Sequence, residues 1–387
     1  MSRQTGYIIL ISLILASLLL LFAHNVALIN RIHWKIYGAL LRIECALRAA
    51  PSAINDMLLV IIDNETLQNM PQRWPYPRSD FVKVIENLKR AQAKLIAFDF
   101  AFLGKSIGPD DILLKTALEY NGKVILAMAI NEEGMVDLAT VSSLSEGIPS
   151  GIITKLQDRD GVTRRNLTYL VSEKEPNKGL LSWEMQILKA AKGINLHSLT
   201  SNGPTVTFKN DSGEEWVVPV NPKTKSFLIN FRAYTANFPR ISFYRVVTGN
   251  FDPLLVKDKI VLVGLLSSVL QDLHHTSLGW LPGITLNANA FLTLYAHDFI
   301  KDVPRYVEQL IVVIGVIIAA FFVSLLKLQK ARILITLEIF LFLVLSYILL
   351  IHGYIWNYFL FPLAVVICPF LGKKIYLKIN SPKTKIA

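Results

Sequence analysis

The run from Tyr7 to Ala23 contains no charged residue and continues, weakly apolar, to Ile29. At ~1.5 Å per residue that is enough helix to cross ~30 Å of hydrocarbon. Three further apolar runs follow near the C-terminus, Val307 to Leu326, Ile333 to Ile351 and Tyr354 to Leu371. Four such stretches account for a chain that is 52% hydrophobic and only 18% charged, a balance an ordinary soluble domain does not carry. A cleaved signal peptide is the competing reading of the first run. The run is long and lacks an A-x-A site, so it is expected to stay as an anchor.

Orientation follows from Lys and Arg beside the spans. Lys327, Lys330 and Arg332 crowd the loop after the second span, and Lys373, Lys374, Lys378, Lys383 and Lys385 crowd the tail. Both places are expected in the cytoplasm. The other short loop, His352-Gly353, lacks Lys and Arg, and Tyr354, Trp356 and Tyr358 beside it read as an outer aromatic belt. Arg31, Lys35, Arg42 and Arg48 point mildly the other way, but long segments translocate largely regardless of charge. The expected layout is a cytoplasmic N-terminus (1–6), a transmembrane helix (7–29), an amphipathic connecting helix (30–56), an extracytoplasmic domain (57–306), three transmembrane helices (307–371) and a basic cytoplasmic tail (372–387). The net charge of +11 divides as +3 over residues 1–56, +2 over 57–306, −1 over 307–326 and +7 over 327–387. The basicity therefore serves membrane topology, and no nucleic-acid partner is expected.

In the connecting helix Ile32, Ile36, Leu40, Ile43 and Leu47 recur at spacings of four and three, an apolar stripe for a membrane surface, the ectodomain or a second protomer. From Asp56 onward, short β-rich apolar runs alternate with helical periods, the pattern of a mostly parallel sheet flanked by helices. The runs are Met57 to Ile62, Lys94 to Phe98, Lys123 to Ile130, Ser226 to Phe231 and Lys259 to Gly264. Ser79 is placed to cap a helix burying Phe81, Val84, Ile85 and Leu88; Asp110 or Asp111 opens another; Trp183 to Ala191 and Leu286 to Tyr295 complete the set. Residues 131–180 and 196–225 are polar and turn-rich, expected as insertions or hairpins. The only cysteines, Cys45 and Cys368, predict neither a disulfide nor a Cys metal framework.

Eight fragments in order carry a resemblance. They are Leu58-Leu-Val-Ile-Ile-Asp63, Arg73-Trp-Pro-Tyr-Pro-Arg78, Ala93-Lys-Leu-Ile-Ala-Phe-Asp99, Asp158-Arg-Asp-Gly-Val-Thr-Arg-Arg165, Ile229-Asn-Phe-Arg232, Phe238-Pro-Arg-Ile-Ser-Phe243, Lys257-Asp-Lys-Ile-Val-Leu-Val-Gly264 and Pro282-Gly-Ile-Thr-Leu-Asn-Ala-Asn289. Together they resemble the type 2 CHASE domain, the cyclase/histidine kinase-associated sensory extracellular domain of bacterial transmembrane receptors. The resemblance implies an extracytoplasmic sensor in the bacterial cytoplasmic membrane, with one span before the domain and three after. Such receptors usually continue into a cytoplasmic output module, whereas only the basic residues 372–387 follow here. The expectation is therefore signalling through a separate protein partner, at the cytoplasmic side or within the membrane, or through a homo-oligomer. A scaffolding subunit of an envelope complex is the alternative, and an extracytoplasmic metal-dependent hydrolase is a further one.

The candidate binding residues are Asp63, Trp74, Arg78, Asp99, Arg240, Asp272 and His274. Asp63 and Asp99 each end an apolar strand, where ligands of open α/β sheets gather. They are read either as carboxylates facing one crevice from neighbouring strands, neutralised by Arg78 or Arg240, or as caps of the turns that follow. Trp74 and Arg78 sit in a proline-stiffened loop that either presents them to a ligand or covers the sheet. Asp158 to Gly161 lacks the spacing of a calcium loop and reads as a turn. Asp272, His274 and His275, with Asp63, have the residue types of a metal or hydrolytic site, but no H-E-x-x-H spacing occurs and no metal or cofactor is expected. No G-x-S-x-G elbow, P-loop or G-x-G-x-x-G is present, so catalysis has no positive support. Glu338, inside the third span, is read as paired with the loop or as a subunit contact.

Overall fold

The computed structural model describes residues 2–23, 26–102, 110–121, 123–128, 147–171, 179–210, 212–266 and 272–380. Expectations for 131–146, 172–178 and the tail lysines Lys383 and Lys385 lie outside them. The helices are α1 (Arg3–Phe22), α2 (Ala27–Leu47), α3 (Asn64–Asn69), α4 (Arg78–Arg90), α5 (Asp110–Asn121), α6 (Trp183–Lys192), α7 (Phe243–Thr248), α8 (Gly283–Tyr295), α9 (Arg305–Leu325), α10 (Leu328–Ile351) and α11 (Leu360–Ile379). The strands are β1 (Met57–Ile62), β2 (Leu95–Phe98), β3 (Val124–Met128), β4 (Ser150–Ile152), β5 (Leu156–Gln157), β6 (Thr163–Leu167), β7 (Tyr169–Val171), β8 (Gly179–Leu181), β9 (Ile194–Asn202), β10 (Thr205–Asn210), β11 (Glu215–Pro219), β12 (Ser226–Leu228), β13 (Arg240–Ser242), β14 (Ile260–Leu265), β15 (Leu273–Thr276), β16 (Gly279–Pro282), β17 (Lys301–Asp302) and β18 (Tyr354–Ile355). They fall into two units, Cys45–Ile300 and the pair of segments Met1–Glu44 and Lys301–Ala387.

The Cys45–Ile300 unit is built on a parallel sheet of order β13-β1-β14-β2-β3-β4. Every residue of β1, β2 and β3 is buried, as continuous apolar runs demand when both faces of a sheet are covered. On one face Val60, Ile96, Phe98, Val261 and Val263 pack with Phe81, Val84 and Leu88 of α4, Leu114 and Leu118 of α5, and Phe243 and Val246 of α7. Each such burial is worth roughly 1.5–3 kcal/mol relative to exposure. On the other face lie α6 and α8, which also pack on each other. The helix faces expected from periodicity are present, although α4 starts at Arg78 with Pro77 as its cap, two residues before Ser79.

Two corrections concern the strands. The run at Ser226 forms β12, which joins a second sheet of order β12-β6-β15-β16. The main sheet is completed instead by β13 and β4, each three residues long and too short to leave a periodic signal. The polar 196–225 stretch is an antiparallel meander, β9-β10-β11, and the turn expected at Asp158 to Gly161 is present, with Gly161 at φ 75°.

In the other unit α1 packs against α9 and α11, and α10 completes the group. These four helices are long and apolar enough to cross a membrane. The last begins at Leu360, not Tyr354, because the Asn357 side chain accepts from the backbone N–H groups of Phe359 and Leu360 at 3.1 Å each. Ahead of it Tyr354–Ile355 pairs with Lys301–Asp302. Of the three aromatics expected in an outer belt, Tyr354 is 41% exposed, whereas Trp356 and Tyr358 are buried, the indole N–H donating to Ser346 Oγ at 2.8 Å while its ring stacks on Phe342. The stripe residues of α2, Ile32, Ile36, Leu40, Ile43 and Leu47, are half-buried or exposed. Within this unit α2 buries His33, Tyr37, Leu41 and Glu44, with Tyr358 N–H donating to His33 Nδ1 at 3.3 Å, and Ile43 is left 46% exposed. A polar network, invisible to apolar spacing, decides the face.

Candidate functional site

The two aspartates that end β1 and β2 part company. Strand β14 runs between β1 and β2, so the strands are not neighbours. Asp63 turns into α3 as its N-cap: Oδ1 accepts from Thr66 N–H (2.9 Å), Thr66 Oγ1 (2.9 Å) and Ser242 Oγ (2.8 Å). Ser242 belongs to the edge strand β13, so Asp63 ties strand end, helix start and sheet edge together. The arginine that feels its charge is Arg245, which pairs with Glu65 at 2.8 Å. The capping reading of Asp63 describes these bonds in full.

Asp99 does something else. It lines a cavity of about 310 Å³ together with Lys155, Thr163, Asp272, His274 and Asn287. Two glycines let the walls approach. A methyl group on Gly264 of β14 would stand 2.8 Å from Ile284 Cδ1 and 3.0 Å from Asp99 Cβ, and one on Gly283 would run into the Asp272 carboxylate. Asp272 thus sits against the first residue of α8, where the backbone N–H of Gly283 also donates to its carbonyl at 3.1 Å, and the helix end favours negative charge there.

The polar geometry is uneven. Asn287 Nδ2 donates to Asp99 Oδ1 at 2.5 Å, and His274 Nε2 lies 3.2 Å from Asp272 Oδ1. Lys155 is already held, its Nζ 2.5 Å from Glu184 Oε1, and Asn166 Nδ2 reaches Glu184 Oε2 at 2.8 Å. Asp99 Oδ2, Asn287 Oδ1 and Thr163 Oγ1 are shut off from solvent and have no hydrogen-bond partner among the described residues. Burial pushes the Asp99 carboxyl well above the usual carboxylate range, and the Asp272 charge pushes it further; Lys155 and the Asn287 bond pull the other way. The expected arginine neutralisation is therefore corrected, since the charges that weigh on Asp99 are those of Asp272, Lys155 and Glu184.

The remaining candidates stand elsewhere. Trp74 packs edge-on against Tyr76 and Phe100 over the helical face of the sheet. Arg78 lies 3.4 Å from Asp111 and over the Phe102 ring. Arg240, on the edge strand, donates to the Thr235 carbonyl at 3.2 Å. His275 stacks on Trp280. Of the seven candidates the structure brings together Asp99, Asp272 and His274. It adds four residues not singled out before, Lys155, Thr163, Glu184 and Asn287. Thr163 and Asn287 fall inside two of the eight fragments, whereas Lys155 and Glu184 lie outside them. Among the described residues no group of three His, Cys, Asp or Glu side chains is placed to hold a metal ion.

Comparison with known families matches residues 11–327 to the CHASE2 domain. Comparisons with curated proteins and with solved structures found no match.

Proposed function

The chain belongs to the CHASE2 family, a family of sensory extracellular domains, and from that premise we propose that it senses a small molecule outside the cytoplasmic membrane through the Asp99–Asp272–His274 cavity. In this reading the Cys45–Ile300 unit is extracytoplasmic, the four apolar helices span the membrane, and both termini are cytoplasmic. The occupied state is passed on to a protein partner at the cytoplasmic face or within the bilayer. The basic loop at Lys327, Lys330 and Arg332 supports the orientation.

The observation that carries the reading is a cavity of ligand size lined by Asp99, Asn287 and Thr163, each with a buried polar atom that has no hydrogen-bond partner among the described residues. Such groups cost free energy unless something fills them, so they fit a site whose occupant comes and goes. A crevice shared by Asp63 and Asp99 is not supported, because β14 separates their strands and Asp63 is committed to capping α3. Sensing further requires a ligand that distinguishes two states of the protein.

The test uses the purified full chain. Fractions of a small-molecule extract are screened by thermal shift against wild type and an Asp99→Ala/Asp272→Ala double variant. At least one fraction should raise the wild-type melting temperature and leave that of the double variant unchanged. No active fraction, or an equal shift in both proteins, would overturn the reading.

A further inference from the structure

We propose that the cavity takes its ligand by a protonated primary amine. The inference rests on the sensor reading and adds the chemistry of the group recognised.

Hydrogen-bond demand is the first argument. Asn287 is 4% exposed and Thr163 0%. Asn287, Thr163 and Asp99 line the cavity, and Asn287 Oδ1, Thr163 Oγ1 and Asp99 Oδ2 have no hydrogen-bond partner among the described residues. The amide oxygen and the carboxylate oxygen are acceptors, and the hydroxyl accepts as readily as it donates. These three atoms call for donors. An ammonium supplies three donors and no acceptor. A carboxylate or phosphate would bring more acceptors to acceptors, and a neutral hydroxyl would bring one donor.

Charge points the same way. Asp99 feels the charges of Asp272, Glu184 and Lys155, and the Lys155 ammonium is engaged with Glu184 at 2.5 Å. A cation placed between Asp99 and Asp272 would relieve their mutual repulsion, the second largest influence on Asp99 after burial. Size selects between cations. A cavity of about 310 Å³ is far larger than a bare metal ion needs and falls at the lower end of pockets for organic ligands. The described residues also offer no three-ligand metal cluster.

The probes are putrescine and ethanolamine, with 1,4-butanediol and ethylene glycol as partners in which hydroxyl replaces ammonium, and calcium and magnesium chloride as bare cations. Each is titrated at millimolar concentration into the full chain in detergent, at constant ionic strength. At least one amine should raise the melting temperature by several degrees while its diol leaves it unchanged. Asp99→Asn and Asp272→Asn should each weaken the apparent affinity at least tenfold. Both should keep an unliganded melting temperature close to wild type, which separates lost recognition from lost folding. Equal effects of amine and diol, an amine effect undiminished in both variants, or a response to the metal salts alone would overturn the proposal. If both amines are silent while an extract fraction still stabilises wild type and not the Asp99→Ala/Asp272→Ala variant, the cavity remains a sensor site and the amine assignment falls. If no fraction acts either, the sensor reading falls with it.

Discussion

At the scale of single residues, Asp99 and Arg164 carry opposite electrostatic histories. Asp99 is held above the usual carboxylate range by burial and by Asp272. Between its unfolded and folded pKa values the native state binds the extra proton, so stability falls as pH rises through that window. Asp99→Asn removes this term. Its melting temperature should change less than that of wild type as pH rises above the usual carboxylate range. Arg164 is the reverse. Its buried guanidinium donates to Asp158 Oδ2 at 2.7 Å and to both Asp160 oxygens at 2.8 Å, and the hydrogen bond from Arg164 is the main cause holding Asp160 below its ordinary range. That contribution is present above about pH 4 and disappears as pH falls through the lowered value. Arg164→Ala should cost about 3 kcal/mol in urea unfolding at pH 7 and flatten the acid limb of the stability profile. Asp99 drew attention in the sequence because it ends an apolar run, and Asp272 and His274 because of their residue types, although His274 lies within β15. Lys155 and Glu184 did not, because a buried ion pair between residues in separate elements leaves no local pattern.

Elements were legible where a continuous apolar run or a helical period was long enough. Strands β1, β2 and β3 and the faces of α4 and α6 follow that rule. Strand order does not: that β14 passes between β1 and β2 is a matter of which surfaces pack, and it alone separates Asp63 from Asp99. The edge strands β4 and β13 were too short to announce themselves, and the inward face of α2 is set by His33 and Glu44 against the apolar stripe. Close approach of β14 to α8 gives a sharp test at this scale. Gly264→Ala places a methyl 2.8 Å from Ile284 Cδ1 and 3.0 Å from Asp99 Cβ, so it should destabilise the chain by roughly 1–3 kcal/mol through overpacking. Because the same methyl presses on Asp99, ligand-induced stabilisation should shrink with it. A Gly264→Ala protein that melts like wild type would mean that β14 and α8 are less tightly apposed.

For the whole molecule, composition and charge placement foretold four apolar helices and one large α/β unit, while the last helix starts at Leu360, after the turn that Asn357 holds, and not at Tyr354. On the proposed topology, tags at both termini should be protected in sealed, right-side-out membrane preparations, and a tag placed within 131–134 should be labelled from outside. Termini on opposite sides would contradict four spans. The central claim is that the Asp99–Asp272–His274 cavity receives the signal. Hydrogen–deuterium exchange of the full chain, with and without the extract fraction that raises its melting temperature, tests this most directly. The account predicts protection in peptides covering 153–163 and 272–287, absent from the Asp99→Ala/Asp272→Ala variant. Protection confined to other parts of the chain, or equal protection in the variant, would contradict it.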